Sequence, residues 1–116
     1  METFHLKYRD TRPVLEVQLL NPDESIHDLT GVDAVYLHVW LPDDSKLMRT
    51  MTINPDPTTG IVSYTWLATD WTSTPGLAIG KHRMEYEVVD AVTGRLTFPN
   101  GSYDCLSILS DVGQGS

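Results

Sequence analysis

The sequence predicts an all-β fold, an antiparallel two-sheet sandwich or small barrel of about seven to eight short strands. Three features predict it. Apolar and polar residues alternate along several short runs, turn residues separate these runs, and no window of about eleven residues repeats with the period of a helix. With 116 residues the chain can form one core, so we expect a single domain over residues 1–111 and a flexible tail at 112–116.

The clearest alternations predict strands with one apolar face each. Their apolar positions are Leu15, Val17 and Leu19; Val35, Leu37, Val39 and Leu41; Val62, Tyr64 and Trp66; and Met84, Tyr86 and Val88. Polar or mixed residues occupy the alternate positions, which is typical of an antiparallel sheet with one face toward solvent. Weaker patterns predict further strands at 4–9, 47–53, 95–98 and 103–109, and residues 68–71 fit a single helical turn.

The breaks between these runs contain the residues that turns require. They include Asn21-Pro22-Asp23, Leu41-Pro42-Asp43, Asn54-Pro55-Asp56-Pro57, Thr59-Gly60, Thr74-Pro75-Gly76, Thr93-Gly94 and Pro99-Asn100-Gly101. All 7 prolines lie in or beside the breaks. Because proline has no N–H to donate to a neighbouring strand, this distribution supports the strand boundaries.

The chain is acidic. It has 8 Lys+Arg against 16 Asp+Glu, a net charge of −8, and a pI of about 4.7. The segment 21–45 holds many of the carboxylates and no Lys or Arg. Such a surface repels nucleic-acid phosphates and anionic membranes, so we expect neither as a partner. Acidic loops that face solvent or a basic partner fit the pattern better.

Three further features narrow the class of protein. Cys105 is the single cysteine, so no disulfide can form within the chain. The longest uncharged apolar stretch, 34–42, is far shorter than the roughly 20 residues that span a bilayer. The first residues lack the basic and apolar regions of a signal peptide, so we expect synthesis in the cytoplasm.

No motif for catalysis or for a cofactor occurs in the sequence. The 4 histidines lack the spacing of metal ligands. No serine or cysteine lies in a nucleophile motif, and no glycine-rich phosphate loop precedes a helix. We therefore predict no enzyme activity, no cofactor and no transition-metal site.

The interpretation of the acidic loops as a calcium site stays open, because several of their carboxylates are hard oxygen ligands. They are Asp23, Glu24, Asp28, Asp43 and Asp44. Their spacing is not that of a calcium-binding loop, so the pattern gives this interpretation little support.

Tyr36, His38 and Trp40 form the candidate binding surface. Because the apolar residues of this run point inward, the three share the opposite face. An uncovered aromatic row is typical of a docking hot spot, whereas a row covered by a neighbouring loop would be structural, and both interpretations stay open. Trp71, in a segment predicted to be a polar loop, is a weaker candidate for contact with a partner.

Five motifs follow one another in order between about residue 4 and residue 109. They are Phe4-His5-Leu6-Lys7-Tyr8-Arg9-Asp10-Thr11-Arg12-Pro13-Val14-Leu15; Asp28-Leu29-Thr30-Gly31-Val32; Asp56-Pro57-Thr58-Thr59-Gly60-Ile61-Val62-Ser63-Tyr64; Thr74-Pro75-Gly76 followed by Met84-Glu85-Tyr86-Glu87-Val88; and Phe98-Pro99-Asn100-Gly101-Ser102-Tyr103. Each is common alone, but the ordered set is more specific. In this combination the chain resembles the phage baseplate-upper-protein N-terminal family.

The resemblance implies an immunoglobulin-like β-sandwich from the virion of a tailed phage, with no catalytic residues to carry over. The leading hypothesis is a non-enzymatic structural protein, made in the bacterial host cytoplasm. It would dock on other virion proteins at the tail or baseplate, or decorate the capsid, and self-association stays open. The alternative is a carbohydrate-binding module, because β-sandwiches often present rows of aromatic rings to sugars.

Overall fold

The structure, a computed structural model, describes residues 2–41, 44–72, 76–92, 94–98 and 103–109, so the predicted tail at 112–116 lies outside the described residues. The fold is all-β, as predicted. The strands are β1 (Glu2–Lys7), β2 (Leu15–Gln18), β3 (Ala34–Trp40), β4 (Lys46–Ile53), β5 (Ile61–Tyr64), β6 (Gly80–Asp90), β7 (Gly94–Phe98) and β8 (Tyr103–Leu109). Each lies within a few residues of its predicted run, although β6 extends past both ends of its run.

Two short helical elements interrupt the strands. A 3-10 turn covers Pro57–Thr59 before β5, where the sequence predicts only turn residues. The helix α1 (Thr69–Thr72) lies between β5 and β6 and confirms the predicted helical turn at 68–71.

The strands form one sheet in the order β1-β8-β6-β3-β4-β5-β2, which is nearly closed into a barrel. β7 pairs with β6 beside this path. The prediction of an antiparallel sheet is wrong for one pair, because β1 and β8 run parallel, with Phe4 opposite Leu106. These are the first and last strands in the chain, so no hairpin turn forces them to be antiparallel.

The long strands β4 and β6 carry the sheet around its corners. Residues 46–51 of β4 pair with β3, and residues 52–53 pair with β5. β6 pairs with β3 over residues 84–89. It pairs with β8 over residues 80–83 and with β7 over residues 86–90. A strand that changes partner along its length lets one continuous sheet enclose the core.

The core consists of the apolar faces that the alternation predicts. Every apolar position named for the four clearest runs is buried, and β1 and β8 add Phe4, Leu6, Leu106 and Ile108. Trp66 is 1% exposed and packs edge-on against Tyr64, with ring centroids 5.2 Å apart. A fully buried tryptophan removes more apolar area from water than most other side chains do, so Trp66 is a major contributor to the core.

A buried carboxylate ties the β4 and β5 side of the barrel to α1. Asp70 is fully buried, and its Oδ1 accepts from Arg49 Nε at 2.7 Å. Its Oδ2 accepts from Tyr64 Oη at 2.7 Å and from Leu67 N at 2.8 Å. Burial, followed by the hydrogen bond to Asp70 and its charge, raises the pKa of Tyr64 well above its ordinary value. No pattern in the sequence predicts that α1 contributes a buried ion pair.

The turn before β5 depends on a glycine. Gly60 has φ +66°, and a Cβ there would lie 2.8 Å from both His27 O and Ile26 Cγ2. Its own carbonyl accepts from Leu19 N at 2.9 Å, so the turn is fixed beside the end of β2. Both the backbone conformation and the close approach therefore require glycine.

Replacing Gly60 by alanine should destabilise the fold by about 2–4 kcal/mol, because a left-handed conformation and a steric clash add together. Gly31→Ala is the matched control, since Gly31 has φ +81° and open space around its Cβ position. It should cost only about 1–2 kcal/mol. Urea denaturation monitored by tryptophan fluorescence measures both values. Equal losses in the two variants would contradict the packing argument.

Replacing Tyr64 by phenylalanine should remove a pH dependence of stability. Since the folded-state pKa of Tyr64 exceeds its ordinary value of 10.0, its stabilising contribution is complete below that pH and decreases as the pH rises above it. We expect the free energy of unfolding to fall above about pH 10 more steeply in the wild type than in Tyr64→Phe. The variant should also lose about 1–3 kcal/mol at pH 7, because the buried carboxylate of Asp70 loses the hydroxyl donor of Tyr64.

Urea denaturation at several pH values between about 8 and 11 tests this expectation. Tyrosines, lysines and arginines common to both proteins cancel in the comparison of wild type with Tyr64→Phe. If the free energies of unfolding of the wild type and Tyr64→Phe differ by the same amount over the whole pH range, the interpretation of the Tyr64–Asp70 pair is wrong.

Candidate functional site

The solvent side of the β4-β3-β6-β7 region is the candidate site, and we call it the outer face. Its residues are Lys46, Met48 and Thr50 on β4; Tyr36, His38 and Trp40 on β3; Arg83, Glu85 and Glu87 on β6; and Arg95 and Thr97 on β7. On β3, β4 and β6 most of them alternate with buried residues, and on β7 Arg95 and Thr97 alternate with the exposed Leu96 and the buried Phe98. The structure thus brings three of the four predicted site residues onto one surface.

His38 is the most enclosed member of the outer face, with 7% of its surface exposed. Its Nε2 lies 3.0 Å from Glu87 Oε1, and Arg95 Nη1 donates to Glu87 Oε2 at 3.2 Å. Because an ionised carboxylate only accepts hydrogen bonds, Nε2 carries the proton in this pair. His38 is therefore an internal support of the outer face and does not form its contact surface.

Trp40 is half-buried and held in one orientation. Its Nε1 donates to Glu85 Oε1 at 2.7 Å. Lys46 Nζ lies 5.2 Å and Arg83 Cζ 5.5 Å from the centre of the indole ring, within the range of cation–π attraction. The ring is fixed by its hydrogen bond and flanked by cations, so binding a partner would require little further ordering of this side chain.

The two ring–carboxylate bonds follow the same diagonal between β3 and β6. In the strand register His38 is opposite Glu85, yet it bonds to Glu87, two residues further along β6. Trp40 likewise bonds to Glu85. Diagonal neighbours on one face of an antiparallel pair are within reach of long side chains, and the twist of the strands brings them together.

A cavity of about 300 Å³ opens on the outer face, bordered by His38, Glu87, Arg95 and the exposed Met48. Met48 has 51% of its surface exposed, and it lies directly opposite His38. A flexible thioether beside fixed polar groups is typical of surfaces that bind other proteins.

Trp71 lies apart from the outer face. The predicted helical turn at 68–71 includes it, but the prediction that this residue lies in a polar loop is wrong. It belongs to α1 and is only 8% exposed. Its ring meets Tyr8 edge-on at 5.2 Å. Local polarity misled the prediction, because the residues around Trp71 include Asp70, whose carboxylate is buried rather than solvated. The four predicted site residues therefore do not form one site.

The acidic loops hold their carboxylates in local turns. Asp23 accepts from the side chain and backbone of Ser25, and Asp28 does the same with Thr30. In each case the side-chain hydrogen bond, followed by the backbone one, lowers the pKa of the carboxyl group. Among the described residues, no three His, Cys, Asp or Glu side chains are placed to hold a metal ion, and Asp43 lies outside that part of the chain.

Sequence reasoning missed the contribution of Glu85, Glu87 and Arg95 to the candidate site. The alternation of β6 places both glutamates on the solvent side, so a signal existed for their orientation. No sequence signal gave the register that brings them beside His38 and Trp40, because strand pairing is decided over long range.

Comparison with known proteins gives no relative for this chain. No family model, no curated protein and no solved structure matches it. Within the described ranges, none of the helices has the length and apolar character needed to cross a membrane.

Proposed function

We propose that this chain is a non-enzymatic structural protein of a tailed-phage virion that docks on other virion proteins through its outer face. The observation that carries the docking function is the ordered state of that surface, in which Trp40 and His38 are fixed by Glu85 and Glu87 beside the exposed Met48. A surface that is ordered before binding loses little side-chain entropy on association. The tail, the baseplate and the capsid are all candidate locations.

The phage setting rests on the resemblance described above, and the structural roles of its motif residues bear on the fold that the resemblance implies. Gly60 makes the close turn before β5. Asp28 caps the turn at Thr30, and the intervening Leu29 is 1% exposed in the core. Residues that fix turns and anchor loops determine where strands begin. A family that shared this fold would therefore keep such residues in the same order.

We also propose that the fold is an immunoglobulin-like sandwich, the finer architecture that the resemblance implies. Its support is the pairing pattern. In that architecture the second and fifth strands pair in one sheet, and the third, sixth and seventh strands form the other. Here β2 pairs with β5, while β3, β6 and β8 are neighbours, with β7 and β8 together occupying the seventh-strand position. The change of partner along β4 would join the two sheets.

Docking on protein is favoured over binding to carbohydrate. Sugar rings stack on open aromatic faces, but Lys46 and Arg83 flank the Trp40 ring, and His38 is buried. Tyr36 is half-buried between its neighbours. The outer face therefore offers a compact polar and thioether surface in place of an aromatic platform.

Phage particles that assemble with variants of this protein would test the proposal. A phage lacking the gene is complemented with each variant, and quantitative mass spectrometry measures copies per purified particle. We expect the wild type at a fixed copy number and at least a roughly ten-fold loss for Met48→Glu, because a new carboxylate beside Glu85 and Glu87 would disrupt the contact surface.

Ile79→Glu is the matched control. Ile79 is 55% exposed, close to the 51% of Met48, and it lies outside the outer face. Circular dichroism and thermal unfolding should show both variants folded. Absence of the wild-type chain from purified particles would refute the virion function, and equal incorporation of both variants would refute docking through the outer face.

A further inference from the structure

We infer that the free edge of β7 binds an extended, basic segment of a partner protein as an added β-strand, with one apolar side chain of that segment in the cavity beside β7. This inference rests on the proposed function, because it names the chemistry of a docking partner. Main-chain pairing supplies affinity in such complexes, and pockets beside the edge supply specificity.

β7 has one unpaired side. It pairs with β6 along residues 94–98, and no other strand in the described part of the chain lies beside it. β8 continues along the same edge of β6 but is itself covered by β1. β7 is therefore a short edge strand whose second row of backbone groups faces away from the sheet.

The hydrogen bonds of β6 identify which groups of β7 face outward. Asp33 N donates to Val89 O at 2.9 Å, so the backbone groups of Val89 point toward β3. Successive residues of a strand direct their backbone N–H and C=O groups to opposite sides. The backbone groups of Val88 therefore point toward β7, where Val88 is opposite Leu96. It follows that the N–H and C=O groups of Arg95 and Thr97 point toward the free edge.

The other sheet edges are partly occupied by the chain itself. At the end of β1, Lys7 O accepts from Asp10 N at 3.0 Å. Beyond β2, Leu19 O accepts from His27 N at 3.0 Å. No comparable backbone bond to Arg95 or Thr97 occurs among the described residues, so this edge is open at both outward-facing residues of β7.

A cavity of about 260 Å³ opens against β7 and gives the edge a side-chain pocket. Its apolar wall includes Val32, Val88 and Leu96. Leu96 is 50% exposed although it lies in a strand. His27 forms part of the opposite wall, and its ring is held in place by packing on Phe98, with ring centroids 4.7 Å apart. An added strand would place every second side chain on this face of the sheet, next to the pocket.

Charge selects a basic occupant. Asp28 and Asp90 border the cavity, and Arg95, which borders it as well, has its guanidinium paired with Glu87 on the outer face. The chain has a net charge of −8, so a second copy would be repelled and a segment containing lysine or arginine would be attracted. The occupant we infer is therefore a strand of a different protein, with basic residues around one apolar anchor.

Amide hydrogen exchange, measured by NMR on the full chain, tests the inference directly. The probe is a peptide of about eight residues that alternates valine and lysine, and the control is the same peptide with glutamate for lysine. We expect the valine–lysine peptide to slow exchange of the Arg95 and Thr97 amides by at least about ten-fold, while the Leu96 amide, already paired with β6, changes little. The glutamate peptide should give no protection.

Two variants separate main-chain pairing from contact with the side chain. Thr97→Pro removes an outward N–H without removing a bond to β6, so it should abolish the protection of Arg95. Thr97→Ala keeps that N–H and should bind like the wild type. The inference is wrong if both peptides protect equally or if neither protects. It is also wrong if protection rises with protein concentration in the absence of peptide, because that result would indicate pairing with a second copy.

Particle incorporation distinguishes failure of this inference from failure of the proposed function. If the wild type is present in particles and Thr97→Pro and Thr97→Ala are incorporated equally, the inference about the edge is wrong and the virion function stands. If the wild type is absent from particles while the valine–lysine peptide still protects Arg95 and Thr97, the edge binds such strands and the virion function is wrong.

Discussion

The buried carboxylate of Asp70 is the constraint on which the arrangement of strands depends. A charge removed from water must be paired and hydrogen-bonded, or it destabilises the fold by several kcal/mol, on the order of the cost of breaking a buried ion pair. Arg49, Tyr64 and the backbone of Leu67 meet that requirement together. Because they belong to β4, β5 and the segment that leads into α1, the carboxylate fixes the corner at which the sheet changes partners. Met48, next to Arg49 on β4, is thereby fixed on the opposite face.

On the outer face, too, carboxylates are paired with hydrogen-bond donors and cations. The free-energy cost of removing them from water is smaller there, because they are only partly buried. Glu87 is shared by His38 and Arg95, and Glu85 is shared by Trp40 and Arg83. Each cross-strand contact of this kind contributes about 0.2–1 kcal/mol, too little for any one to determine the fold. Their joint effect is orientation, since the rings and carboxylates restrict one another. The net acidity of the chain is consequently carried by its loops more than by the outer face.

The strands and their buried faces were predictable from the sequence, whereas the contacts that join the strands were not. Alternation is a local signal, and it correctly predicted the inward positions of β2, β3, β5 and β6. The parallel pairing of β1 with β8 depends on residues about a hundred positions apart and leaves no local pattern. The burial of Asp70 and Trp71 was missed for the same reason. Their partners Arg49 and Tyr8 are distant in sequence, and only packing makes a polar segment part of the interior.

The two surfaces proposed for binding are continuous, because β7 belongs to both. Its Arg95 side chain reaches Glu87 on the outer face, while the backbone of the same residue points toward the free edge. A strand added at that edge would therefore extend the sheet and enlarge the outer face by one row of side chains. Main-chain bonds would set the register of the partner strand, and the Trp40 ring and Met48 would contact the part of the partner that lies across the outer face. In such an arrangement neither surface needs to be large, because one partner would engage both at once.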